Sequence, residues 1–207
     1  MKIKILDRVL EYENKEEVYN ALVEEINSTL KNSNLIFSHL IIDGKEVYED
    51  FSNYFFDNVE NIKEITVVAK TVKEMSNDIM LSTIDYLDRA IPEIDKLSNE
   101  FYKTPSQESW NKLIDLIDGI RWIIDAFATI DSNVDLKNIV KSYEEWNLYA
   151  KDVYSLKELL LEFEEILENS DYVSTADILS YEVVPLFKDM KEKLEKLVLV
   201  EVEAENA

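Results

Sequence analysis

The sequence predicts an α+β fold, in which a small N-terminal α/β sandwich precedes an antiparallel helical bundle. Three observations carry that reading. Strand-like alternation and branched apolar runs are confined to the first seventy residues. From Thr71 onward the apolar residues recur at helical spacing instead. The 207 residues also include only two glycines and three prolines, too few for a fold built on many tight turns. The expected division is an α+β domain over 1–70, a helical bundle over 71–199 and an acidic tail over 200–207 that frays.

Residues 2–6, KIKIL, alternate polar and apolar as a half-buried strand does, with room to run on towards Tyr12. Asn14, with Glu17 three residues later, is expected to cap a helix. Val18, Leu22, Ile26 and Leu30 form the apolar face of that helix, with Tyr19 and Val23 beside them. LIFSHLII (35–42) reads as a strand, and Asp43-Gly44 as a two-residue hairpin turn whose central positions both need positive φ. KEVYED (45–50) is its return strand; a short helix over 50–59 and a strand over 62–69 follow. The resulting order, β-α-β-β-α-β, is that of a ferredoxin-like sandwich.

In the next segment Met80, Ile84, Leu87, Ile91, Ile94 and Phe101 fall on alternating steps of four and three, with Ser98 in the one polar slot. That spacing is a packed helical seam. Pro92 is expected to kink this helix or to divide it. Thr104 as N-cap, Pro105 at the first helical position and Gln107 at the third signal the next start. DSNVD (131–135) ends that helix, and Ser132 or Asn133 is available as a cap. One long helix is expected over 135–169, carrying Leu136, Ile139, Tyr143, Trp146, Ala150, Val153 and Leu160. Ser174 with Asp177 opens a last helix, bent at Pro185 and running to about 197.

The segment SWNKLIDLIDGIRWIIDAF (109–127) has apolar residues around more than half its helical circumference, which marks a central helix with several neighbours. Gly119 falls on the minority face with Ala126 seven residues on. A mid-helix glycine costs about 1 kcal/mol against alanine, so its expected return is the close approach of another backbone or ring. Trp122 lies beside it, on the side of Asp115, Asp118 and Asp125. Burial against a neighbour is one reading of Trp122; an aromatic anchor ringed by carboxylates, suited to an apolar side chain flanked by Lys or Arg, is the other. Arg121 is spaced for a surface pair with Asp118 or Asp125.

Composition removes several function classes. With 22 Lys and Arg against 44 Asp and Glu, the net charge is −22, a field that repels nucleic acid and anionic lipid. There is no cysteine, so disulfides, thiolate metal sites and cysteine nucleophiles are excluded. The first residues contain no apolar run of signal-peptide type and no long apolar span follows, so the expected location is the cytoplasm, away from the membrane. The one histidine, His39, sits inside an apolar strand and reads as structural.

Glu164-Glu165-Ile166-Leu167-Glu168 resembles the E-E-x-x-E half of the Mg-binding signature of all-α nucleotide pyrophosphohydrolases. The E-x-x-D half is not supplied by a second helix, because Glu168 to Asp171 overlaps the first half. The resemblance implies a Mg-dependent hydrolase with Glu164, Glu165 and Glu168 as metal ligands. Glu158, Glu162, Glu165 and Glu168 form a stripe of the kind an acidic DNA mimic would carry. The expectation preferred to both is a non-catalytic interaction module, adaptor or chaperone-like, without cofactor. Its partner would be a basic or amphipathic protein met at Trp122, Asp115, Asp118, Asp125 and Gly119; nucleic acid would not bind directly, and a homodimer is left open.

Overall fold

The computed structural model describes residues 1–31, 33–168 and 170–198, apart from the side chains at 164 and 168. The acidic tail expected over 200–207 lies outside them. The chain divides into two compact units, Met1–Met75 and Ser76–Ala207. The architecture is α+β, with a mixed sheet in the first unit and helices throughout the described part of the second.

Among the described residues the sheet has five strands: β1 (Lys2–Ile5), β2 (Arg8–Glu11), β3 (Leu35–Ile42), β4 (Lys45–Val47) and β5 (Glu64–Thr71), in the order β2-β1-β5-β3-β4. The first run does not continue to Tyr12 as one strand. It folds back at Leu6-Asp7, where Leu6 takes φ 51°, and Ile5 faces Arg8 across the turn. The element order is therefore β-β-α-β-β-α-β, and β1 pairs in parallel with β5, which corrects the ferredoxin-like order. The Asp43-Gly44 turn forms as expected, at φ 49° and 86°, with Ile42 opposite Lys45. The Asp43 carboxylate then accepts the amide N–H groups of Lys63 (3.0 Å) and Glu64 (2.8 Å), tying the hairpin to β5.

Helix α1 (Val18–Leu30) buries Val18, Leu22, Ile26 and Leu30. Asn14 does not cap it. Its side chain accepts from the Met1 amino group (2.8 Å) and donates to the carbonyls of Val59 (2.8 Å) and Ile62 (2.7 Å), satisfying loop groups instead of helix amides. Helix α2 (Phe51–Asn58) sets Phe51 edge-on to Phe37 and Phe55 against Tyr19 of α1. Ser38 is skipped in the β3–β5 pairing, and this bulge reverses the side-chain alternation. Phe37 and Leu40 thus share the face that meets the helices, while His39 is buried on the other, stacked on Tyr48.

The second unit is built on α3 (Val72–Phe101), α4 (Gln107–Asp131), α6 (Tyr143–Glu168) and the pair α7 (Tyr172–Ile178) and α8 (Val184–Leu197), with a one-turn α5 (Leu136–Ile139) between α4 and α6. As numbers rise along α3 they fall along α4: Phe101 meets Trp110, Glu100 meets Lys112 and Tyr86 meets Trp122. The same holds for α3 against the last helices, where Ser98 meets Ser180 and Tyr86 meets Phe187. These pairs run antiparallel.

Several boundaries differ from expectation. Pro92 neither divides nor ends α3, which runs unbroken through it. The N-cap of α4 is Ser106, two residues past Thr104, and the reciprocal partner is the Ser109 hydroxyl rather than a Gln or Glu. The helix expected over 135–169 is broken at Val140, whose ψ of 147° is extended. Asp171, not Ser174, caps α7, accepting the Ser174 amide at 3.0 Å. Upstream of Pro185 lies a π-helical turn, Leu179–Val183. A proline lacks an N–H and crowds the carbonyl four residues back, and a wider turn absorbs both.

Candidate protein-interaction site

Tyr86 on α3 is the residue that explains Gly119 on α4. Its hydroxyl and ring occupy the space a β-carbon on Gly119 would fill, with the ring Cε2 2.9 Å from that point. The expected close approach is therefore a tyrosine ring. The same ring lies 5.9 Å from Trp122 and 6.5 Å from Phe187, centroid to centroid. Tyr86 is thereby the shared wall between the core and the outer face of α4. Burial pushes its hydroxyl pKa up; Arg89 opposes this and the Asp115 carboxylate adds to it.

Trp122 is 42% exposed, so the fully buried reading does not hold. On α4, Asp115, Asp118, Trp122 and Asp125 follow one another at steps of three, four and three, which places them on one stripe. All three carboxylates are exposed. Asp118 pairs with Arg121 at 3.1 Å. Asp115 and Asp125 have no ion-pair partner among the described residues.

Beside Tyr86 an open groove of about 290 Å³ runs between α3 and α4. Ala90, Ile94 and Leu97 of α3 and Leu116 of α4 form its apolar floor; Arg89, Glu93, Lys112 and Asp115 form its rim. Sequence reasoning missed the α3 side of this site. The signal was available: two antiparallel helices joined by the short 102–106 connection place residues equally far from the turn side by side, which sets Tyr86 opposite Gly119 and Trp122.

The described residues of the other candidates assemble no second site. Glu165 is exposed on α6, and the side chains of Glu164 and Glu168 lie outside the described residues. Among the described residues no group of three or more His, Asp or Glu side chains is placed to hold a metal ion. His39 is buried, its Nδ1 3.0 Å from the Ser38 hydroxyl. Asp152, 8% exposed, accepts from Lys193 at 2.6 Å, and Lys193 also reaches Asp189 at 2.7 Å, linking α6 to α8. Burial raises the Asp152 carboxyl pKa despite that lysine. Among the described residues no helix is long and apolar enough to cross a membrane.

Residues 78–193, more than half of the chain, match the family model described as a domain of unknown function, DUF8042. The chain belongs to that family. Helices α4 to α7 lie wholly inside the match, as do Tyr86, Gly119, Trp122 and the groove. Residues 1–71, which carry the whole sheet, match the model described as TP0873 N-terminal domain. No curated protein and no solved structure matches the chain.

Proposed function

We propose that the DUF8042 unit of this protein is a non-catalytic interaction module, of adaptor or chaperone-like type, that binds a basic or amphipathic protein segment. The observation behind this is the half-exposed Trp122, held against Tyr86 and flanked on its own stripe by Asp115, Asp118 and Asp125. Tryptophan anchors dominate many interfaces, and burying the rest of this ring would contribute about 2 kcal/mol. The carboxylates and the net charge of −22 favour cationic partners and raise their encounter rate. The two other readings, a Mg-dependent hydrolase and an acidic DNA mimic, have no comparable feature behind them among the described residues. Glu158, Glu162 and Glu165 are exposed as on any solvent-facing helix.

Affinity capture from the native host with wild type and Trp122→Ala side by side tests the proposal. One stoichiometric partner with a basic segment, bound by wild type and lost by a variant that still melts cooperatively, is the expected result. Equal capture by both proteins would remove Trp122 from the interface. Sedimentation of the pure protein separates a second copy of the chain from a foreign partner.

A further inference from the structure

We infer that the segment bound at the Trp122 face is an amphipathic helix of three to four turns lying along the α3–α4 groove. Its apolar side would meet Tyr86, Trp122 and the groove floor, and two of its cations would sit opposite Asp115 and Asp125. The inference rests on the interaction reading above and specifies the partner's chemistry.

Groove length and charge carry it. The floor follows α3 from Tyr86 through Ala90 and Ile94 to Leu97, which at 1.5 Å per residue is about 16 Å, or three helical turns. An apolar trough with a wall of that length on α3, closed on the α4 side by Leu116, suits a third helix offering residues at spacings of three and four. The small side chain of Ala90 leaves room for such a backbone to approach. The cations of the surrounding surface are already matched: Arg89 by Asp85 (2.9 Å), Lys112 by Glu100 (2.9 Å) and Arg121 by Asp118 (3.1 Å). Asp115 and Asp125 are not matched among the described residues, so the surface offers two free carboxylates. Ten positions apart on α4, they are separated by about 15 Å, the distance between cations ten or eleven residues apart on a partner helix. A partner with apolar residues alone would leave these charges facing a dry interface, and an acidic one would be repelled.

The test is a titration of the intact chain with a fluorescently labelled 18-residue Leu/Lys/Ala amphipathic peptide, with lysines ten residues apart, read by anisotropy at physiological salt. A peptide of the same composition with a central proline is the control. The helical peptide is expected to bind and the control to bind at least about tenfold more weakly, since proline breaks the helix. Ala90→Phe fills the floor without touching Trp122 or the carboxylates and is expected to weaken binding about tenfold. Asp115→Asn with Asp125→Asn, both on exposed positions that do not threaten the fold, is expected to weaken it about fivefold. Equal binding of both peptides, indifference to both sets of substitutions, or no peptide binding would overturn the inference. The interaction reading fails separately. If the captured partner is lost with Trp122→Ala but retained by Ala90→Phe, that reading stands and the helix-in-groove geometry does not.

Discussion

Tyr86 of α3 occupies the space that a β-carbon on Gly119 of α4 would need, so the glycine is the seat of a tyrosine from the neighbouring helix. Alanine at 119 would gain about 1 kcal/mol of helix propensity. It would also drive a ring held between Trp122 and Phe187 out of place, an overpacking of about 1–3 kcal/mol. Gly119→Ala is therefore expected to lower stability in urea denaturation. In a Tyr86→Ala background the sign should reverse, with the same substitution stabilising by about 1 kcal/mol. No reversal would mean that the ring is not the obstacle.

Trp146 is fully buried, stacked on Phe127, and its indole N–H donates to the Asp131 carboxylate at 2.9 Å. Asp131→Ala leaves that donor without its partner and should cost about 1–3 kcal/mol in thermal or chemical unfolding. Asp131→Asn retains an acceptor oxygen and should recover most of the loss. If alanine and asparagine are equal, the bond contributes nothing net.

The three tryptophans differ in access, and this gives an optical handle on the candidate site. Trp122 is 42% exposed, Trp110 is half-buried and Trp146 is fully buried. Trp122→Phe is expected to remove the largest share of the acrylamide-quenchable emission, leaving that of Trp110, with the melting temperature within about 2 °C, as for a surface substitution. Unchanged quenching would mean that Trp122 is shielded in solution.

Asp171 caps α7 through the amide and hydroxyl of Ser174, and the amide bond is the largest cause holding its carboxyl below the ordinary value. A folded-state pKa below the unfolded one, about 3.9, contributes stability that is present above that pH. It is lost as pH falls through the folded value. Asp171→Ala should thus lower the melting temperature at pH 7, and the gap to wild type should close below about pH 3.9. A gap that persists unchanged into stronger acid would assign the effect to something other than the carboxylate.

What could be read from the sequence was what local chemistry decides. The Asp43-Gly44 turn, the buried face of α1 and the close approach at Gly119 each depend on few residues with strong conformational demands. What could not be read was what competition decides. The Leu6-Asp7 turn has no glycine or asparagine, and Leu6 adopts positive φ because the paired strands hold it there. Asn14 can satisfy helix amides or loop carbonyls, and only the folded first unit shows that the loop wins. At the candidate site the α4 stripe was legible, because periodicity alone places Asp115, Asp118, Trp122 and Asp125 together. The α3 wall was not, because it depends on how two helices are aligned about their turn.

The π-helical turn at Leu179–Val183 carries a consequence for how this chain tolerates insertions and deletions. Buried Leu179, Val183 and Phe187 are separated by successive steps of four, and beyond them Met190, Leu194 and Leu197 return to steps of three, four and three. The turn works as a spare residue: it holds one more position than an α-helix would while keeping the faces on either side in register. A single-residue deletion within 179–183 would keep the buried faces in register and set Pro185 against the carbonyl four residues back, at about 3 kcal/mol, whereas the same deletion in the middle of α8 would rotate everything beyond it by about 100° and turn Leu194 and Leu197 out of the core. Length variation between relatives should therefore collect at this turn and be rare on either side of it.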